Sequence, residues 1–100
     1  MNDVKLNKVV KLPKRLAGKP AIEFIINFRK KVTEEIQEVT LNADKLEFID
    51  SGSIGFLVVE AMRLKRLGGC LIIIDLDKEI KENFLIATLD EIIVFKETDF

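Results

Sequence analysis

Two hydroxyls and a carboxylate, Ser51, Ser53 and Asp50, fall within four residues of the largely apolar stretch LEFIDSGSIGFLVVEAM, residues 46–62. A strand-like run stops at Asp50. Ser51-Gly52-Ser53 reads as a polar turn, and helical spacing begins at Ser53, with Ile54, Leu57, Val58, Ala61 and Leu64 on one face. The mouth of a helix has unpaired N–H groups and a partial positive charge. Asp, Ser and Gly are favoured there, so Asp50, Ser51 or Ser53 is expected to cap the helix. The same donors and dipole would also receive a phosphoryl group on a serine, which brings about −1.5 to −2 charge at pH 7. Gly52 keeps the loop sterically open. A turn of this kind can be a switch without being a catalyst.

Little else in the chain could do chemistry. There is no His, Trp or Tyr and a single Cys, so zinc sites and Ser-His or Cys-His catalysis lack their parts. No GxGxxG or GxxxxGK[ST] loop is present to cradle a nucleotide. No metal or other cofactor is implied. Asp75 and Asp77, at the end of an apolar run, read as a solvated turn or helix cap, and Cys70 as a core residue opening a strand. Phe24, Phe28, Phe84 and Phe95 read as core. Phe56 falls off the Ile54–Leu57–Val58–Ala61 stripe, which makes it a candidate for a partner interface.

One hundred residues, 48% hydrophobic and 33% charged, suit one soluble domain, residues 1–100. The net charge of −1 argues against a nucleic-acid binder, although it is unevenly spread. Residues 1–32 carry nine Lys/Arg and two Asp/Glu, and residues 33–100 carry seven and fifteen. This suits solvated faces, or a basic patch that steers an acidic partner. No apolar run is long enough to insert in a membrane, the N-terminus lacks the apolar core of a signal peptide, and one cysteine suits a reducing, cytoplasmic setting.

The elements that must position the opening stretch follow from periodicity and punctuation. Residues 4–12 read as a strand or hairpin arm, and 21–33 as a helix opened by Pro20, with Ile22, Ile25, Ile26 and Val32 at helical spacing. Residues 37–42 form a short strand. The helix from Ser53 ends at Gly68-Gly69. Residues 70–76, CLIIIDL, read as a strand buried on both sides, 78–89 as an amphipathic helix and 91–97 as a last strand. Strands and helices alternating at short spacing imply an α/β fold with a partly parallel sheet.

The stretch LEFIDSGSIGFLVVEAMRLKRLGGCLIIIDL resembles the core of the STAS domain, the sulfate-transporter and anti-sigma-factor-antagonist family. Its members typically read F-[IM]-D-S-[ST]-G-[LI]-G, then a helix, a glycine-bearing turn and an apolar strand. Here Phe48, Ile49, Asp50, Ser51, Ile54 and Gly55 stand in register. Where the family has Ser/Thr then Gly, this chain has Gly52 then Ser53. Where it often carries an acid before the first helix, in G-x-[LI]-D, ungapped counting finds Pro13-Lys14-Arg15-Leu16.

The resemblance implies a STAS-like α/β domain, a mixed β-sheet packed with α-helices. It also implies a non-enzymatic anti-sigma-factor antagonist whose partner is an anti-sigma factor with serine-kinase activity, with a phosphatase resetting the switch. Ser51 would be the phosphoacceptor and Asp50 the acid that shapes the loop, while Gly52, Ser53, Ile54, Gly55 and Phe56 would lie in or near the partner surface. A homodimer stays open. So do two other readings: an unphosphorylated STAS docking module in a signalling complex or a lipid-transport (ABC) system, and a small enzyme or nucleotide-binding domain of flavodoxin-like plan.

Overall fold

The computed structural model describes residues 6–86 and 91–98, the side chains of 83–86 excepted. The elements are β1 (Asn7–Lys11), β2 (Arg15–Leu16), α1 (Gly18–Lys31), β3 (Glu38–Asn42), β4 (Phe48–Ile49), α2 (Ser51–Arg66), β5 (Cys70–Ile74), α3 (Lys78–Ile86) and β6 (Ile93–Lys96). Strands β1, β3, β5 and β6 form one sheet in that order, and β2 pairs with β4 in a two-stranded sheet. Every described pairing is parallel, so β1 joins β3 rather than closing a hairpin.

The strand order steps in one direction only. Right-handed crossovers between parallel neighbours then place all three helices on the same face of the main sheet. Burial bears this out. Val10, Val39, Leu41, Leu71, Ile73 and Ile93 point into the helix layer and are buried, meeting Phe28, Leu57, Ala61 and Leu64 in one core. The register lines up Val9, Thr40, Ile72 and Val94 across the opposite face, where Val9 is 66% and Val94 38% exposed. The expectation that 70–76 is buried on both sides is therefore corrected. Ile72 and Ile74 are half-buried because no helix among the described residues covers their face.

Helix α1 also differs from its sequence reading. It starts at Gly18, whose φ of +56° suits glycine, and Pro20 still falls in the first turn, where its missing N–H is no loss. It buries Ala21, Phe24 and Phe28, while Ile22 and Ile26 are 60% and 51% exposed. The aromatic volume decides the rotation. Phe24, Phe28 and Phe56 interlock between α1 and α2, with Phe28 and Phe56 edge to face at 5.4 Å and Phe24 and Phe56 at 6.4 Å.

At the far end of α2, Gly69 is required. A Cβ there would stand 1.5 Å from the Gln37 carbonyl oxygen, which accepts the Cys70 N–H. The two aspartates after β5 act in structure. Asp77 Oδ1 accepts from the Glu79 N–H at 2.9 Å and caps α3. Asp75, at φ +58°, accepts from the Thr98 N–H and hydroxyl at 2.8 Å each. The Phe84 side chain and residues 87–89 of the expected helix lie outside what is described.

Candidate functional site

Strand β4 delivers the chain to α2. Its parallel register pairs Arg15 with Phe48 and Leu16 with Ile49, and the Asp50 N–H donates to the Leu16 carbonyl at 3.2 Å. The helix then begins at Ser51 rather than Ser53, because Asp50 is the cap. The Ser53 N–H donates to Asp50 Oδ1 at 2.8 Å. The Ser53 hydroxyl also bonds this carboxylate, and it is the largest of the influences that hold the Asp50 carboxyl below its ordinary range. The Ser53 N–H, the Gly18 N–H at the head of α1 and the Arg15 guanidinium add to the pull, against some desolvation. Asp50 thus caps α2.

This geometry separates the two serines. Ser53 is 5% exposed and committed to Asp50, whereas Ser51 is exposed on the first turn. Helical spacing from Ser51 brings Gly55, Val59 and Met62 to the same side, with Val59 59% and Met62 46% exposed, and Gly52 exposed beside Ser51. Ile54 is half-buried and packs on the core. No charged residue occurs from Ser51 to Val59 in a chain that is one-third charged. The first, Glu60, is buried and paired with Arg63 at 2.9 Å. Neither exposed glycine is needed by the fold. A Cβ on Gly55 would meet nothing within 4 Å, and one on Gly52 would make an ordinary 3.8 Å contact.

Phe56 is half-buried against Phe24 and Phe28, with the Arg29 guanidinium 5.6 Å from its ring. That position between helices accounts for an apolar residue off the stripe without a partner. Sequence reasoning missed four exposed residues here. Val59 and Met62 could have been found by continuing the helical spacing from Ser51. Arg15 and Phe48, whose guanidinium and ring lie 4.3 Å apart, meet through a two-residue strand pairing that leaves no periodic signal.

The site offers a surface, one accessible hydroxyl and a fixed cap. Among the described residues no group of His, Cys, Asp and Glu is placed to hold a metal ion. No helix among them is long and apolar enough to cross a membrane. The fold is a one-sided parallel α/β layer with a helix that carries no charge from Ser51 to Val59. The family is shown by comparison: the STAS domain model matches residues 4–99, and the chain belongs to the STAS domain family. Among solved structures it is similar to the anti-sigma factor antagonist SpoIIAA in its unphosphorylated form, at a TM-score of 0.75 and 14% identity over 95% of this chain and 84% of that one.

Proposed function

We propose that this STAS domain is an anti-sigma-factor antagonist that acts in the cytoplasm as a single non-enzymatic domain. It docks on an anti-sigma factor with serine-kinase activity and thereby frees the sigma factor. The observation that carries this reading is Ser51, an exposed hydroxyl at the head of an uncharged, glycine-bearing helix face. Bare backbone at Gly52 and Gly55 lets a partner approach closely, and Val59 and Met62 supply apolar area. In the switching step the γ-phosphoryl group of ATP passes to Ser51 Oγ, ADP leaves and the hydroxyl proton passes to the kinase. The added charge opposes docking by repulsion and desolvation, and a phosphatase restores the hydroxyl. Neither nucleic acid nor membrane insertion enters this reading.

Incubation with the cognate kinase and ATP is expected to add one phosphate, mapped to Ser51 by intact mass and peptide analysis. No phosphate, or one placed elsewhere, overturns the switch. A second reading, a docking module that is never phosphorylated, is favoured by Leu16 at the position of the expected acid and by the Gly52-Ser53 order. It predicts that Ser51→Ala matches the parent in every binding assay.

A further inference from the structure

Arg15 stands one residue before Leu16, where the expected acid would fall, and its surroundings give it a task. Strand alternation and register put Arg15, Phe48 and Asp50 on one side of the small sheet, directly before Ser51. The guanidinium lies 4.3 Å from the centre of the Phe48 ring, which is itself 44% exposed, so stacking holds it unburied on the side of the sheet that carries Asp50. Lys14, on the other side of the same strand, is engaged with Glu47 at 3.8 Å. A phosphoryl group on Ser51 would add negative charge next to the Asp50 carboxylate, an arrangement that calls for a cation. A planar guanidinium can bind two phosphate oxygens at once.

We infer that Arg15 is the internal receiver of a phosphoryl group on Ser51, turning from the Phe48 ring to form a two-pronged bond with the phosphate oxygens. The inference rests on Ser51 being the acceptor. Phosphorylation then does two things to the docking face: it adds anionic charge, and it withdraws the one cation that stacks on Phe48.

The test needs no kinase. Phosphoserine is installed at position 51 during synthesis of the full chain, and its second ionisation, near pH 6 when unperturbed, is followed by ³¹P NMR. The midpoint in the parent is expected about 0.5 pH unit below that of Arg15→Gln, as for an exposed ion pair. Lys14→Gln should leave it where the parent has it. Far-UV circular dichroism confirms that each variant is folded. Equal midpoints in the parent and Arg15→Gln, or an equal displacement by Lys14→Gln, overturn the inference. A kinase that ignores Ser51 would fail the functional reading without touching this titration, and a flat titration would leave the kinase result standing.

Discussion

Helices α1 and α2 pack side by side through three phenylalanines, yet their outer faces follow opposite rules. On α1, exposed Ile22 and Ile26 are interspersed with Lys19, Glu23, Arg29 and Lys30, charges that keep the surface wet. On α2 the exposed positions up to Met62 are Ser51, Gly52, Gly55 and Val59, with no charge among them. A helix built only to be soluble would place Lys or Glu there, as α1 does, and would not place glycine, which costs about 1 kcal/mol relative to alanine in a helix interior. The contrast sets a charged outer face on α1 against an uncharged one on α2, which in the proposed function is the face the partner covers.

The sharpest version of that contrast sets Gly69 against Gly55. The Gly69 position is filled by the Gln37 backbone, which cannot move without breaking the link between β3 and β5. Gly69→Val is expected to lose more than about 4 kcal/mol in urea unfolding, or to abolish soluble expression. A mild loss would mean that the approach of Gln37 is not rigid. Next in size is Phe56→Ala, which removes two edge-to-face contacts between α1 and α2 and should cost about 2–3 kcal/mol in the same measurement. If it instead leaves stability unchanged and abolishes partner binding, Phe56 belongs to the outer face after all.

Gly55→Ala should act in the opposite direction. With open space for the methyl group, it is expected to raise stability by about 0.5–1 kcal/mol. In the proposed function it also weakens partner affinity, measured by calorimetry, because the methyl group stands where the partner's surface comes closest. Val59→Ala and Met62→Ala should stay within about 0.5 kcal/mol in stability while weakening the same binding. Unchanged affinity in all three variants would make the outer face of α2 ordinary surface.

The order of helices and longer strands was legible because apolar periodicity and glycine punctuation are local signals, whereas β2 left none. Gly68-Gly69 marked the end of α2, and Asp50-Ser51 lay within two residues of its start. What escaped depended on contacts between distant parts. The run CLIII looks doubly buried in isolation. Its second face is open because the strand order never reverses direction, a property of the whole sheet that one strand cannot reveal. Ile22 and Ile26 offered an apolar face for α1 as good as the one used, and the choice was made by Phe56, twenty-eight residues beyond Phe28. At the site, Asp50 and Ser51 stood out by type. That Asp50 would claim Ser53 and leave Ser51 free, and that Arg15 would lie over Phe48, came only with tertiary structure.

The smallest expected effect concerns the carboxylate that caps α2. The Asp50 carboxyl is held below its ordinary value, close to 3.8, by Ser53, Gly18 and Arg15. A carboxyl with a lower pKa folded than unfolded contributes stability that is fully present above the unfolded value and is lost as pH falls through the folded one. Asp50→Asn keeps an oxygen that can accept the Ser53 N–H but removes the charge. The parent should therefore be more stable than Asp50→Asn at pH 6, and the gap should close as pH falls below about 4, followed by urea midpoints at fixed ionic strength. Asp75, held low by the Thr98 N–H and hydroxyl, titrates in the same window in both proteins and so cancels from the difference. A gap that persists unchanged at low pH would show that Asp50 acts by shape alone, and its charge would then play no part in the hold on Ser53 that distinguishes the two serines.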